Sequence, residues 1–152
     1  MKRLPVLEED RRSVADWLAW WGDRVAAVDF KAVRPAFAED AIAFGSRTEM
    51  MTSQAELERD QWRMVWPTIE DYRYDLSTME VVMSPDRLMA MGAVIFRSTG
   101  LHQDGARFER TGRATVALMR PAVGAPWICT HSHVSLKPGT PAPSYGNRPE
   151  RV

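Results

Sequence analysis

The densest chemistry in the sequence lies near its end, in Trp127-Ile-Cys-Thr-His131-Ser-His133-Val-Ser135. Every second side chain of an extended strand faces one side, so Trp127, Cys129, His131, His133 and Ser135 form one row. His131 and His133 are the candidate catalytic residues, because an imidazole with an ordinary pKa of about 6.5 can act as acid or base near neutral pH. Two imidazoles so spaced could also chelate a metal with His102 or a carboxylate as a further ligand. No HExxH, cysteine pair or clustered carboxylate accompanies them, so no metal is expected. The plainer role for both is hydrogen bonding within or at the rim of a sheet.

Two arginines interrupt apolar strands. Arg97 follows Ala93, Val94, Ile95 and Phe96, and Arg113 sits between Gly112 and Ala114. A guanidinium drawn into a pocket is costly unless an anion meets it, and its fork suits a carboxylate. With His133 and Ser135 the two would form an anion-binding end to a cavity, whose aromatic walls would include Trp21, Trp62 and Tyr74. The alternative is that each arginine ends in solvent or pairs with an acid such as Glu109. Trp17, Trp21, Trp62 and Trp66 fall on predicted helices, where an aromatic stripe is core first and ligand wall second. Nine methionines suit irregular interior space. There is no Gly-x-Ser-x-Gly elbow and no glycine loop for phosphates, and Cys129 in mid-strand reads as buried and inert. No cofactor is expected.

These side chains need elements to hold them. Val14, Trp17, Leu18, Trp21, Val25 and Val28 recur at helical spacing, which predicts a long amphipathic helix from about Glu9 to Val28 with acids in its first turn. Asp29 caps a short second helix carrying Phe30, Val33 and Phe37, which Pro35 should kink or break. A strand at Ala41 to Phe44 follows. Ser53 and Glu56 make a capping box for a third helix, about Gln54 to Val65, ended by Pro67.

The period then changes to two. Tyr72, Tyr74 and Leu76 alternate with polar residues, whereas Met79, Val81 and Met83 are apolar in the opposite phase, which predicts a bulge near Ser77 or Thr78. Turns at Ser84-Pro85-Asp86, Asp104-Gly105 and Pro121 to Pro126 separate strands Leu88 to Thr99, Arg107 to Arg120 and Trp127 to Leu136. Helices followed by a bent antiparallel sheet are an α+β layout, and such a sheet wrapped on a long helix makes a cone with a pocket at its wide end. Residues 1–136 form this domain, and residues 137–152, rich in proline and glycine, read as a loose tail.

Composition narrows the partners. The chain has 152 residues, with 20 basic and 20 acidic side chains in balance, which lacks the footprint of phosphate-backbone binding. Nucleic acid is therefore not expected. No stretch approaches 18 uninterrupted apolar residues, and the first residues lack the apolar core of a signal peptide, so a cytoplasmic protein without membrane contact is expected. One cysteine excludes an intrachain disulfide.

The residues also carry a resemblance. Phe37-Ala-Glu-Asp40-Ala-Ile-Ala-Phe44-Gly45, Gly112-Arg113-Ala-Thr115, and Trp127 through His131-x-His133-x-Ser135 are similar to motifs of the nuclear transport factor 2-like superfamily, its SnoaL-like branch in particular. The span from about Glu9 to Leu136 also resembles the association domain of calcium/calmodulin-dependent protein kinase II. The resemblance implies a cone-shaped, cystatin-like fold, a homodimer through the exposed sheet face, and a match of Arg97 and Arg113 to pocket-lining arginines of that association domain. Ketosteroid isomerase, in the same superfamily, uses an Asp base and a Tyr donor, where this sequence has Gly45 and Trp21. That route loses both its base and its oxyanion donor.

Fold membership transfers no activity. The reading from sequence is a small-molecule-binding domain for an apolar ligand with an acidic group. Its alternatives are a lyase, isomerase or hydrolase of a polyketide-like or cyclic substrate with a histidine acid/base, and an oligomerisation module with an incidental cavity.

Overall fold

The computed structural model describes residues 1–138. Its first helix, α1, spans Glu8–Ala26, with the predicted stripe of Val14, Trp17, Leu18, Trp21 and Val25 buried along one face. Glu8, Glu9 and Asp10 complement the positive end of the helix dipole, and Arg24 complements the negative end. Val28 takes a left-handed φ of 55° at the turn that follows. The Asp29 carboxylate then accepts from the Ala32 amide at 3.1 Å, capping α2, Phe30–Val33.

Pro35 sits in a single tight turn over Arg34–Ala36, and there the helix ends. Phe37, expected to be helical, is extended and opens the first strand. β1 therefore spans Phe37–Phe44, four residues longer than the Ala41 start read from sequence. A two-residue strand, β2 at Met50–Met51, pairs antiparallel with its end.

The helical run predicted over Gln54 to Val65 forms, but unevenly. The Ser53 hydroxyl accepts from the Glu56 amide at 3.2 Å, and the Glu56 carboxylate accepts from the Thr52 amide at 2.8 Å. After α3, Gln54–Glu56, the turns widen to a π-helix over Leu57–Trp62 and tighten again in α4, Arg63–Val65. The π register turns Leu57, Glu58, Gln61 and Trp62 all toward the interior.

Four long strands complete the sheet: β3 Ile69–Met83, β4 Met89–Leu101, β5 Arg107–Met119 and β6 Ile128–Leu136. Their order is β2-β1-β6-β5-β4-β3, antiparallel except for the parallel β1–β6 pair. The phase slip expected at Ser77 or Thr78 is present: Asp75 pairs with Ile95 but Glu80 with Ala93, so β3 carries extra residues between them. The Thr78 hydroxyl secures this bulge, donating to the Asp75 carbonyl and accepting from the Ile95 amide. A second shift lies beside Asp71, which has φ 54°.

A further bulge went unread in the sequence. Leu118 pairs with Cys129 and Ala117 with His131, leaving Thr130 as the extra residue. Beyond it the faces of β6 exchange: Cys129 points into the core, but Ser132 is the next buried residue and His133 is exposed. The single row of Trp127, Cys129, His131, His133 and Ser135 is thus broken in the middle.

The helices cover one face of the sheet and bury Trp62, Phe96, Leu18, Leu118, Val14 and Val116 almost completely. At the N-terminus of α1, Asp10 is buried and accepts from Arg87 at 2.7 Å and Arg120 at 2.7 Å. Arg120 stacks 4.1 Å over the Trp127 ring, whose indole N–H donates to the Ser13 hydroxyl at 3.0 Å. This cluster ties α1 to the ends of β4, β5 and β6. Among the described residues no helix is long and apolar enough to cross a membrane. The tail reading falls beyond the described residues except at Lys137 and Pro138.

Candidate functional site

Between the helices and the concave face of the sheet lies a narrow aromatic cavity. α1 contributes Trp21 and Val25; the Leu57–Trp66 run contributes Gln61, Trp62 and Trp66; the strands contribute Tyr72, Arg110 and Ser132. Phe44 and Ser46 stand on its more exposed side. Its free volume is about 30 Å³, room for a water or two. Aromatic packing accounts for the tightness: Phe37 meets Trp62 edge-on at 5.0 Å, Trp62 stacks on Trp66 at 5.1 Å, and Trp21 meets Phe37 edge-on at 5.3 Å.

Arg110 dominates the electrostatics. It shares the inward phase of Gly112, Ala114, Val116 and Leu118 on β5. The half-buried guanidinium donates to the Ser46 hydroxyl at 2.9 Å and lies 5.8 Å from the Phe96 ring centre. Among the described residues no carboxylate pairs with it. Burial accordingly holds its pKa below the usual arginine value, with neighbouring Tyr72 opposing the shift.

Ser46 also accepts from the Gln61 amide at 3.1 Å, and the Gln61 carbonyl accepts from the Arg47 backbone at 3.2 Å. Gly45 makes this arrangement feasible, because a Cβ there would overlap the Gln61 side chain. With two donors already directed at Ser46, its own O–H remains to donate.

The arginines expected from sequence lie elsewhere. Arg97 is exposed on the outer face of the sheet and pairs with Asp75 at 2.9 Å, and Arg113 is exposed on the same face, opposite Ser135 of β6. β4 carries apolar residues in both phases, with Ala93 and Ile95 outward and Val94 and Phe96 inward, so local hydrophobicity did not settle the facing of Arg97, whereas on β5 Arg113 shares the polar phase of Glu109, Thr111 and Thr115. His131, His133 and Ser135 share the outer face because of the Thr130 bulge. His133 packs 5.3 Å from Phe44 and His131 6.0 Å from it, both away from Ser132 and Val134 on the cavity side. The expected anion site of Arg97, Arg113, His133 and Ser135 is therefore not part of the cavity.

Trp21 and Trp62 do line it. Tyr74 lies deeper, packed on Trp21 at 5.6 Å and on Tyr72 at 5.4 Å. Its hydroxyl is near enough to that of Tyr72 to be felt electrostatically but has no partner in hydrogen-bond geometry. Burial pushes both phenols well above their ordinary pKa, and the Cys129 thiol likewise. Among the described residues no group of three histidine, cysteine, aspartate or glutamate side chains could hold a metal ion.

Arg110, Ser46, Gln61 and Tyr72 were not anticipated. Arg110 had a readable signal, since it keeps the two-residue phase of Val116 and Leu118. Ser46 and Gln61 had none, because their meeting depends on the loop after β1 approaching the π-helical turn.

Solved structures share this arrangement of helices and sheet. A protein from Xanthomonas campestris, provisionally named a calcium/calmodulin dependent protein kinase II association domain, superposes with a TM-score of 0.71 at 18% identity over 90% of this chain and 96% of its own. A nuclear transport factor 2-like superfamily protein from Salmonella enterica superposes at 0.69 with 13% identity over 95% and 98%. The chain has the NTF2-like fold. A ketosteroid isomerase-like protein from Erwinia carotovora gives 0.69 at 17% identity over 86% and 98%. Other neighbours with this fold are described as cystatin-like, in keeping with the α+β cone. No family model and no curated protein matches the sequence.

Proposed function

We propose that this NTF2-like domain binds a small, largely apolar molecule through an acidic group, with Arg110 as the anchor. The observation that carries the reading is Arg110 itself: a half-buried cation in an aromatic cavity with a hydroxyl partner but, among the described residues, no carboxylate. Desolvating a guanidinium is unfavourable, and an anionic guest offsets that cost with a paired, charge-assisted contact. The Ser46 O–H adds a second donor beside it. A free volume of about 30 Å³ is well below the roughly 300 Å³ of an ordinary ligand pocket, so a ring-sized guest requires the Leu57–Trp66 wall to move outward.

The test is thermal unfolding with a panel of small carboxylates. A guest specific to the folded state stabilises by RT ln(1 + [L]/Kd), about 2.7 kcal/mol at a hundredfold excess over Kd. A rise in Tm that is lost in Arg110→Met and kept in Arg97→Ala and Arg113→Ala is the expected result. No rise with any acid, or a rise that Arg110→Met leaves intact, rejects the reading.

The tightness of the cavity favours a second reading, an assembly module whose interior is simply core. Exposed Ile42 and Phe44 on β1, with His131 and His133 beside them, would then belong to a homodimer contact on the outer sheet face. Light scattering would return twice the chain mass, and Ile42→Glu would return the monomer. An enzyme using His131 or His133 on a cavity-bound substrate finds no support, because both imidazoles lie on the far side of β6.

A further inference from the structure

We infer that a tryptophan-lined groove beside α1 is the docking site for the proline- and arginine-bearing segment 147–152 of the same chain. The groove lies between α1, the tight turn at Ala36 and the turn that joins β5 to β6. Trp17, Trp20, Ala36, Ala125, Pro126 and Trp127 line it, and it encloses about 410 Å³ open to solvent. Trp17 and Trp20 are tilted by 52° with ring centres 6.3 Å apart, and Trp20 and Pro126 keep apolar surface in water. The groove shares no residue with the Arg110 cavity, so acid binding and this inference stand or fall separately.

Aromatic grooves suit proline, whose ring is apolar and whose fixed φ leaves little entropy to lose on docking. The single acid of the groove, Asp16, adds a preference for charge. It is exposed, lies one turn before Trp20 on the same face of α1 and, among the described residues, pairs with no cation. Arg120 also lines the groove, but Asp10 already matches it. A segment that sets a proline on the indoles and an arginine on Asp16 therefore fits, and Arg148-Pro149-Glu150-Arg151 has that composition.

Reach selects this stretch. β6 carries the chain about 30 Å from Trp127, in the groove, to Leu136. Residues 139–152 lie outside the described residues, and their sequence sets how far each proline can return. At about 3.1 Å per residue, Pro141 and Pro143 reach about 16 and 22 Å beyond Leu136, whereas Arg148 and Pro149 reach about 37 and 40 Å. Of these prolines, Pro149 alone spans the return. Tethering sets an effective concentration on the order of 1 mM, so a contact too weak to hold a free peptide still fills the groove in the intact chain.

Paramagnetic broadening in the intact chain tests the inference. A nitroxide on Asn147→Cys reports where the segment sits, and Cys129, buried and with its thiol pKa raised by burial, stays unlabelled. Amide signals of Asp16, Trp20, Gly124 and Ala125 should lose intensity, while those of Ser77 and Thr78 at the β3 bulge should not. Asp16 is exposed and unpaired, so Asp16→Lys should fold as the wild type does and abolish the loss. Adding Arg148→Glu and Arg151→Glu to Asp16→Lys should bring the loss back. When nitroxide-bearing chain is mixed with isotope-labelled chain that carries no nitroxide, the groove signals of the latter should stay intact. Absent or uniform broadening, broadening that survives Asp16→Lys, failure of the charge swap to restore it, or broadening between mixed chains overturns the inference.

Discussion

The Arg110 guanidinium donates to the Ser46 hydroxyl at 2.9 Å, joining the start of β5 to the loop that leaves β1. These residues are 64 apart in sequence, and their meeting defines the polar side of an otherwise aromatic cavity. Ser46→Ala removes the acceptor and frees the guanidinium to swing. A hydrogen bond to a charged group contributes about 1.5 kcal/mol or more net, so acid affinity is expected to fall about tenfold by calorimetry, with a smaller loss than Arg110→Met produces.

The buried contact of Asp10 with Arg87 and Arg120 sets a pH dependence. The Arg87 hydrogen bonds, reinforced by Arg120, hold the Asp10 carboxyl below the ordinary aspartate pKa, and Arg34 with Arg63 does the same for Glu58. A depressed carboxyl pKa adds stability that is fully present above the unfolded value, about 4, and that is lost as pH falls through the folded value. Urea midpoints are therefore expected to be level from pH 7 to about 5 and to drop below about pH 4. Asp10→Ala leaves the buried Arg120 uncompensated and should cost about 3 kcal/mol at pH 7, with the Asp10 share of the acid-range slope removed and that of Glu58 kept.

Gly112 carries a different constraint. It lies between the Phe96 ring of β4 and the Ser135 carbonyl of β6, and a Cβ there would overlap both. The carbonyl belongs to the backbone ladder and cannot turn aside. Gly112→Ala is expected to destabilise by about 2 kcal/mol, the range for overpacking, read as a lower urea midpoint with an unchanged m-value.

Tyr74→Phe should act in the other direction. Its hydroxyl is buried without a partner, so deleting it removes an unsatisfied group while the ring keeps its contacts with Trp21 and Tyr72. Thermal unfolding is expected to show an unchanged or raised Tm, by up to about 1 kcal/mol in stability. Because burial raises the pKa of both phenols, spectrophotometric titration should find neither Tyr72 nor Tyr74 ionising near pH 10 while the chain stays folded.

Local patterns in the chain announced much of this molecule. The stripe from Val14 to Val25 determined α1, Ser53 and Glu56 determined where the next helical run begins, and the change of phase between Leu76 and Met79 determined a bulge. Each is a relation among residues close in sequence, where helix and strand periods act directly. The aromatic walls Trp21 and Trp62 were legible for the same reason.

Only the tertiary structure decided which way Arg97 and the two histidines face. Thr130 is an extra residue solely because Leu118 pairs with Cys129 and Ala117 with His131, a register between strands that nothing within β6 encodes. That one-residue displacement turns His131 and His133 outward. On β4 both faces are apolar enough to be buried, so the helices had to pack before one became the interior and left Arg97 outside, whereas on β5 the alternation itself sets Arg113 among Glu109, Thr111 and Thr115 and Arg110 in the phase of Val116 and Leu118. Side-chain alternation has a period of two and carries no absolute phase, and the phase comes from long-range pairing and packing.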